Sequence, residues 1–272
     1  MSDFDAADTV DTVDTVDTVD AIDMPDRLDL WLVAGGVVDS RSKAQRLIKA
    51  GKVTVNGKTV TKPAFAIGDA AHTRIVVDKG DDYVSRGAYK LVGAFERFAA
   101  DGLADPEGLD CLDIGASTGG FTQVLLRRGA ARVIALDVGH GQLDPRVADD
   151  PRVIEMSGVN IRDVEADDLP YRPAMIVSDV SFISLTYVIP VVARIAAPGA
   201  RVVLLVKPQF EVGREGLDRH GIVVSETLRT QALDDVVSCA REHGLEVVAT
   251  APSPIEGTHG NAEWLLYAVC PA

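Results

Sequence analysis

Past residue 84, short apolar runs alternate with longer stretches whose apolar positions recur every three or four residues. The runs fall at 109–113, 132–137, 153–156, 175–179, 202–206, 246–250 and 264–269, and helical periodicity lies between most of them. Strands separated by helices imply a parallel sheet covered on both faces. The expectation for residues 84–272 is therefore an α/β, Rossmann-like sheet of seven strands. Residues 26–80 are patterned differently. "RLDLWLVAGG" reads as a short helix closed by glycine. Ser40 reads as the N-cap of a second helix, "RSKAQRLIKAG", closed by Gly51. "KVTVNGKTV" reads as two short strands around an Asn-Gly turn. This is a small α+β unit of helix, helix and hairpin. Ahead of it, residues 5–23 contain "DTVDTVDTVDTVD". A period of three fits neither helix nor strand, so residues 1–25 are expected to form a disordered acidic tail.

Charge changes this picture in one place. The formal net charge is −14, which argues against a nucleic-acid partner if taken over the whole chain. Residues 1–25, however, carry eight Asp and no Lys or Arg, whereas residues 26–90 carry 12 basic and seven acidic residues. The small unit is a basic island in an acidic protein. Arg41, Lys43, Arg46, Lys49 and Lys52 cluster on its second helix and the following strand. A solvated helix face is the plain reading of such a cluster. Its isolation, beside an exposed helix and hairpin where phosphates could dock, favours RNA. Only 8 of the 27 basic residues are Lys. A very acidic surface with few lysines suggests a halophilic host, whose salt would screen self-repulsion. No run approaches the ~18 apolar residues of a membrane span, and no basic stretch followed by an apolar one opens the chain. Cys111, Cys239 and Cys270 form no Cys-x-x-Cys pair, so neither zinc nor a disulfide framework is suggested. A cytoplasmic protein is expected.

Candidate chemistry begins at "LDCLDIGASTGGFTQVLL", residues 109–126. The glycines stand where backbone must approach a ligand closely. Asp137 ends the next strand, 22 residues after Gly115, where a carboxylate can accept from a ribose diol. NAD and S-adenosylmethionine both carry such a ribose. A dinucleotide needs G-x-G-x-x-G to bring helix N–H groups onto pyrophosphate, and here the third residue is Ser117. Asp113 just before the turn would repel phosphate and welcome a sulfonium with an amino group. The turn therefore points to S-adenosylmethionine. The expected cofactor-facing residues are Asp113, Gly115, Ser117, Thr118, Gly119, Gly120, Phe121, Asp137, Val138, Asn160 and Asp179.

Four further residues converge on the same sheet edge: Lys90 in "SRGAYKL", Asp179 in "VSDVSF", Lys207 in "LLVKPQFEVG" and Glu263 in "GNAEWLLY". Singly, each has a bland explanation as a solvated lysine or a loop cap. Together they limit the methyl acceptor. Amino-group methylation of nucleic acids typically uses Asn/Asp-Pro-Pro-Tyr after the fourth strand, and "DVSF" departs from that. Base C5 methylation needs a cysteine near strand four or five, yet Cys111 lies in the first strand and Cys239 in a late helix. A ribose hydroxyl fits better. It needs a base and strict alignment, and a Lys can serve when a second cation stands beside it. Lys90 beside Lys207 would supply one, with Asp179 and Glu263 orienting the pair. No metal is required, because the leaving group is a neutral thioether.

The segment "SRSKAQRLIKAGKVTVNGK" closely resembles the αL RNA-binding fold of a ribosomal small-subunit protein and of pseudouridine synthases, over about residues 26–78. The arrangement Lys90–Asp179–Lys207–Glu263 looks like the tetrad of the FtsJ-type ribose 2′-O-methyltransferases. With the αL unit in front, "YVSRGAYKL", "DIGASTGGFT", "DVGHGQL", "DVSFISL", "LVKPQFEVG" and "GNAEW" together resemble the TlyA family, from about 26 to 270. Members of that family are ribosomal RNA cytidine-2′-O-methyltransferases that have also been labelled haemolysins. The resemblance implies an S-adenosylmethionine-dependent enzyme acting on ribosomal RNA or ribosomal subunits, with no metal. It also implies that Phe182 and Ser184 line the acceptor side, that 209–211 shape it, and that Arg86 contributes to RNA binding. Two rivals remain at this level. A non-catalytic ribosome-assembly factor would leave the four tetrad positions unexplained. A membrane-lytic protein would need an amphipathic or apolar segment.

Overall fold

The structure is a computed structural model and describes residues 13–16, 25–38, 40–68, 73–78, 82–257 and 260–272. The chain divides into two compact units, Met1–Asp82 and Tyr83–Ala272.

In the first unit, β1 (Val13–Val16) precedes α1 (Leu28–Ala34), α2 (Arg41–Lys49), β2 (Val53–Val55), β3 (Lys58–Thr59) and β4 (Ile75–Asp78). The Ser40 side chain caps α2 by accepting from Lys43 N at 3.3 Å. Asn56 and Gly57 both take positive φ, +50° and +75°, as a two-residue turn matched to strand twist requires. Leu28, Trp31 and Leu32 of α1 and Ala44 and Ile48 of α2 pack on Val53, Val55, Ile75 and Val77 of the sheet. The sheet order is β1-β4-β2-β3. This corrects the reading of the acidic segment as disordered throughout: Val13–Val16 pairs antiparallel with Ile75–Asp78. The β-branched Val and Thr of the repeat suit a strand, and β4 offers the edge. Most of that segment lies outside the described residues.

The second unit opens with α3 (Ala88–Phe98). Its remaining elements are β5 (Asp110–Ile114), α4 (Gly120–Arg127), β6 (Arg132–Asp137), α5 (Pro145–Ala148), β7 (Val153–Ser157), β8 (Met175–Ser178), α6 (Leu185–Ile195), β9 (Arg201–Val206), α7 (Pro208–Glu211), α8 (Glu226–Glu242), β10 (Glu246–Pro252) and β11 (Trp264–Val269). Seven strands run in the order β10-β11-β9-β8-β5-β6-β7. The pairings among β5 to β9 are parallel, while β11 is antiparallel to both β9 and β10. Each central strand feeds two cores by alternation. Val202, Leu204 and Val206 join one with Val188 and Ile189 of α6 and Val236 of α8. Val203 and Leu205 join the other with Leu91 and Phe95 of α3 and Val124 and Leu125 of α4. Strands buried on both faces read as continuous apolar runs, which is why the runs mark the central strands so closely; all seven runs match the seven strands to within one or two residues. The chain passes from β5 outward to β6 and β7, then returns to β8 on the other side of β5. That reversal leaves a crevice beyond the carboxyl ends of β5 and β8.

Candidate active site

The turn after β5 stands in that crevice. Gly115 has φ +82°, and a Cβ there would meet the side chain and backbone of Val180 and the Asp179 carbonyl at 3.1–3.3 Å. Only glycine lets the β5 and β8 ends approach this closely. Gly119 has φ +90° and caps α4, with its backbone against Val147 and Leu143. At the end of β6, the two Asp137 carboxylate oxygens accept from Ser117 N at 2.9 Å and Gly139 N at 2.8 Å. The turn is thereby tied to the acidic residue. A cavity of about 710 Å³ opens beside them, bordered by Gly115, Ser117, Asp137, Val138, Asn160 and Asp179. A second, of about 260 Å³, is bordered by Arg86, Lys90, Thr118, Gly120, Phe121 and Lys207. Gly115, Ser117, Asp179 and Ser181 belong to the walls of both. A glycine cradle, a fixed carboxylate and a cavity of this size fit an adenosyl group.

Two residues expected to face the cofactor do not line either cavity. Gly119 shapes the turn from behind. Asp113 is fully buried beneath it. There its Oδ2 accepts from Thr122 Oγ1 at 2.7 Å, and its Oδ1 has no hydrogen-bond partner among the described residues. Burial pushes its carboxyl up to about 7; the Thr122 hydroxyl opposes the rise, and the charges of Asp179 and Asp137 add to it. Sequence periodicity could place Asp113 at a strand end but could not show that α4 covers it.

Lys90, Asp179, Lys207 and Glu263 come together. Lys90 sits on the inner face of α3 and is 6% exposed; Lys207 follows β9 and is 7% exposed. Lys90 Nζ lies 2.7 Å from Glu263 Oε2 and 3.6 Å from Asp179 Oδ2. Lys207 Nζ lies 2.6 Å from Asp179 Oδ1. Asp179 thus stands between the two lysines. Two buried cations with two carboxylates form a compensated set, as the cost of burying charge demands.

The loops after β8 and β9 form the rest of the wall. Phe182 is 92% exposed with φ +64°, and its ring centroid lies 5.2 Å from that of Phe210. An exposed aromatic held in a left-handed conformation is a strained arrangement of the kind found at binding sites. Ser184 borders the large cavity, yet its hydroxyl is committed to structure. It accepts from Thr186 N at 3.1 Å and donates to Glu211 Oε2 at 2.5 Å. Glu211 Oε1 also accepts from Leu185 N at 2.9 Å, so this carboxylate ties α7 to the start of α6. Burial raises the Glu211 carboxyl, against the hydrogen bonds from Leu185 and Ser184. Phe210, within the 209–211 stretch expected to shape the acceptor side, borders the large cavity, as do Ser181 and Tyr187, which the sequence reading did not single out. "DVSF" offered the one signal for Ser181, a hydroxyl two residues after the key carboxylate.

In the first unit, the five basic residues separate into two groups. Arg41 Nε binds Asp29 Oδ2 at 3.0 Å, Lys43 Nζ binds Asp82 Oδ1 at 2.5 Å, and Lys52 Nζ binds Asp78 Oδ2 at 2.5 Å. Asp29 is fully buried. The Arg27 guanidinium holds its carboxyl well below the usual range against the cost of burial, helped by Gln45 and Arg41. Arg41, expected to contact RNA, directs its Nε to Asp29 while its side chain stays half exposed. Arg46 and Lys49 are exposed and have no side-chain partner among the described residues.

A parallel sheet with an antiparallel final strand, a glycine turn after its central strand and an acidic end to the next define an S-adenosylmethionine-dependent methyltransferase. Comparison with known proteins narrows this. The FtsJ-like methyltransferase family matches residues 83–269, and the S4 domain matches residues 26–70. The 16S/23S rRNA (cytidine-2′-O)-methyltransferase TlyA of Mycobacterium tuberculosis is 44% identical over 241 residues, 89% of this chain and 88% of that protein. A protein named Hemolysin A from Brachyspira hyodysenteriae is 41% identical over 89% of this chain and 98% of its own length. A solved structure named as a hemolysin from Streptococcus thermophilus is 39% identical, covers 90% of this chain and 88% of that one, and superposes with a TM-score of 0.69. The chain belongs to the TlyA family of FtsJ-like methyltransferases. No described helix is long and apolar enough to cross a membrane.

Proposed function

We propose that this protein transfers a methyl group from S-adenosylmethionine to a ribose 2′-hydroxyl of ribosomal RNA, at cytidine, with Lys207 as the base. One observation carries the reading: Lys207 is held by Asp179, and Asp179 belongs to the wall common to the two cavities. The relative from M. tuberculosis supports the substrate, since its name specifies cytidine-2′-O in 16S and 23S rRNA.

S-adenosylmethionine, when bound, supplies an electrophilic methyl group whose departure leaves a neutral thioether. Gly115 and Ser117 would hold it through their backbone, with Asp137 accepting from the ribose diol and Val138 and Asn160 beside it. Lys207 first releases its resting ammonium proton to water and then, as the neutral amine, removes the proton of the 2′-hydroxyl as that oxygen attacks. Asp179 orients Lys207 and balances its charge once the ammonium forms. Lys90, paired with Glu263, faces Asp179 from the other side and holds it in place. Phe182 offers an exposed ring for a base to stack on, a contact worth about 1–3 kcal/mol, and Arg86 at the lip of the small cavity is suited to a phosphate. In the S4 unit, Arg46 and Lys49 supply phosphate contacts. A reaction on ribosomal RNA belongs in the cytoplasm. The acidic composition supports an adaptation to high internal salt, and a melting temperature that rises steadily between 0.1 and 2 M KCl would bear this out.

The test is to compare ribosomal RNA from a wild-type strain and a strain deleted for the gene, by nucleoside mass spectrometry and 2′-O-methyl mapping. Loss of 2′-O-methylcytidine at one or a few positions is expected. An identical methylation map in the two strains would refute the proposed activity.

A further inference from the structure

The two lysines of the site are held differently. Lys90 meets carboxylates, those of Glu263 and Asp179. Lys207 meets one carboxylate and one hydroxyl: its Nζ lies 2.6 Å from Asp179 Oδ1 and donates to Ser181 Oγ at 2.9 Å. Ser181 comes two residues after Asp179, just before the left-handed Phe182, and it borders both cavities. Its side chain has Lys207 as its one hydrogen-bond partner among the described residues. Ser184, three residues on, is instead a helix cap. Ser181 is exposed, so it carries little of the packing.

Valence gives this contact a meaning. A charged lysine amine has three N–H groups; the neutral amine has two and a lone pair. Asp179 Oδ1 faces the amine as an ion pair but accepts no hydrogen bond from it, so the carboxylate alone leaves the amine free to turn about its terminal C–N bond. Ser181, by accepting one N–H at 2.9 Å, fixes that rotation, and the Asp179 carboxylate repels the lone pair, which leaves one direction for it. Fixing a reacting group in this way lowers the barrier by removing rotational freedom before the chemical step.

We propose that Ser181 is a positioning residue for 2′-O-methyl transfer, holding Lys207 so that its lone pair meets the acceptor hydroxyl at the wall common to the two cavities. The inference rests on the reading of Lys207 as the base. In the step it serves, the ribose oxygen forms a bond to the methyl carbon and the carbon–sulfur bond breaks with its electron pair left on sulfur. The hydroxyl proton passes to the Lys207 lone pair, which becomes an ammonium. Ser181 neither gains nor loses a proton.

The experiment uses full-length protein, tritiated S-adenosylmethionine and ribosomal subunits from the deletion strain, with Ser181→Ala, Ser181→Thr and Lys207→Ala. For Ser181→Ala, the single-turnover rate at saturating subunits is expected to fall about 10- to 100-fold, the range that misplacement of a reacting group produces. Its KM for subunits, its cofactor affinity and its melting temperature should stay at wild-type values. Ser181→Thr keeps the hydroxyl and should recover most of the rate, which simple loss of packing would not explain. A wild-type rate in the Ala variant overturns the inference. So does a loss confined to RNA or cofactor affinity, or a folded Thr variant as slow as Ala. If Lys207→Ala is inactive while Ser181→Ala is normal, the base assignment survives and the role of Ser181 does not. If the wild-type protein methylates an atom other than a ribose 2′-oxygen, both fall together.

Discussion

Lys207 and Asp179 lie 2.6 Å apart at the ends of adjacent parallel strands, β9 and β8, with Asp179 also facing Lys90 at 3.6 Å. The pair has two possible uses. Lys207 could accept a proton, or it could only neutralise Asp179. Substitution by Arg separates them, because guanidinium keeps the charge and cannot act as a base. Lys207→Arg is expected to lose about 10²- to 10⁴-fold in rate, the usual worth of general-base catalysis. An Arg variant within a few-fold of wild type would leave Lys207 as an orienting charge.

Glu263 is buried against Lys90 at 2.7 Å. Glu263→Gln keeps the shape and removes the charge, leaving Lys90 beside Asp179 alone. Breaking such a buried pair should destabilise the methyltransferase unit by about 3 kcal/mol. Urea unfolding measures it, and an unchanged midpoint would mean that Asp179 alone compensates Lys90.

Asp137 ties the turn to the cavity through Ser117 N and Gly139 N. Asp137→Ala should weaken S-adenosylmethionine binding by roughly 1–3 kcal/mol, the cost of losing charged hydrogen bonds. Isothermal calorimetry reads this directly, and an unaltered affinity would remove Asp137 from the site.

Asp113 predicts a pH dependence. Its carboxyl is raised to about 7 in the folded protein, chiefly by burial, against about 3.9 when unfolded. A raised group favours the folded state below its unfolded value, and that contribution is lost as pH climbs to the folded value. Between about pH 4 and 7, the Asp113 contribution should therefore fall by up to ~1.4 kcal/mol per pH unit. Asp113→Asn cannot ionise and should lack this slope. The difference in unfolding free energy between wild type and Asn, followed from pH 4.5 to 7, should change in that direction. A difference that is flat with pH would show that Asp113 ionises normally.

In the S4 unit, the contacts divide the basic residues by role. Arg46→Ala with Lys49→Ala should weaken RNA binding and lower the slope of log affinity against log salt by about one per lost phosphate contact. Arg41→Ala should instead cost up to about 1 kcal/mol of stability, because Arg27 and Gln45 still hold Asp29. Filter binding across a salt series, paired with thermal melts, distinguishes the two outcomes.

Much of this was legible in the sequence because the signals are local or periodic. Seven apolar runs mark seven strands, of which the central ones are buried, Ser40 marks the start of α2, and Asn56-Gly57 marks the hairpin. Lys90, Asp179, Lys207 and Glu263 are far apart in the chain, but each lies at an element end, and parallel sheets bring such ends to one edge. Contacts between distant side chains carry no local signal. The pairing of Arg41 with Asp29 spans 12 positions and was hidden by the plain look of "RLDL". The burial of Asp113 depends on α4 folding over it. Ser181 gains its meaning only once Lys207, 26 positions on, is beside it. The strand Val13–Val16 lies in a repeat whose period of three fits no regular element, and the edge of β4 supplies what periodicity lacked.

The most direct test of the central claim is single-turnover methylation of ribosomal subunits from the deletion strain, followed by digestion to nucleosides and chromatography. Wild-type protein should deliver the labelled methyl group to 2′-O-methylcytidine, and Lys207→Ala should deliver none while binding S-adenosylmethionine with unchanged affinity. Label recovered on a base, or a Lys207→Ala variant that methylates ribose at the wild-type rate, would contradict the account.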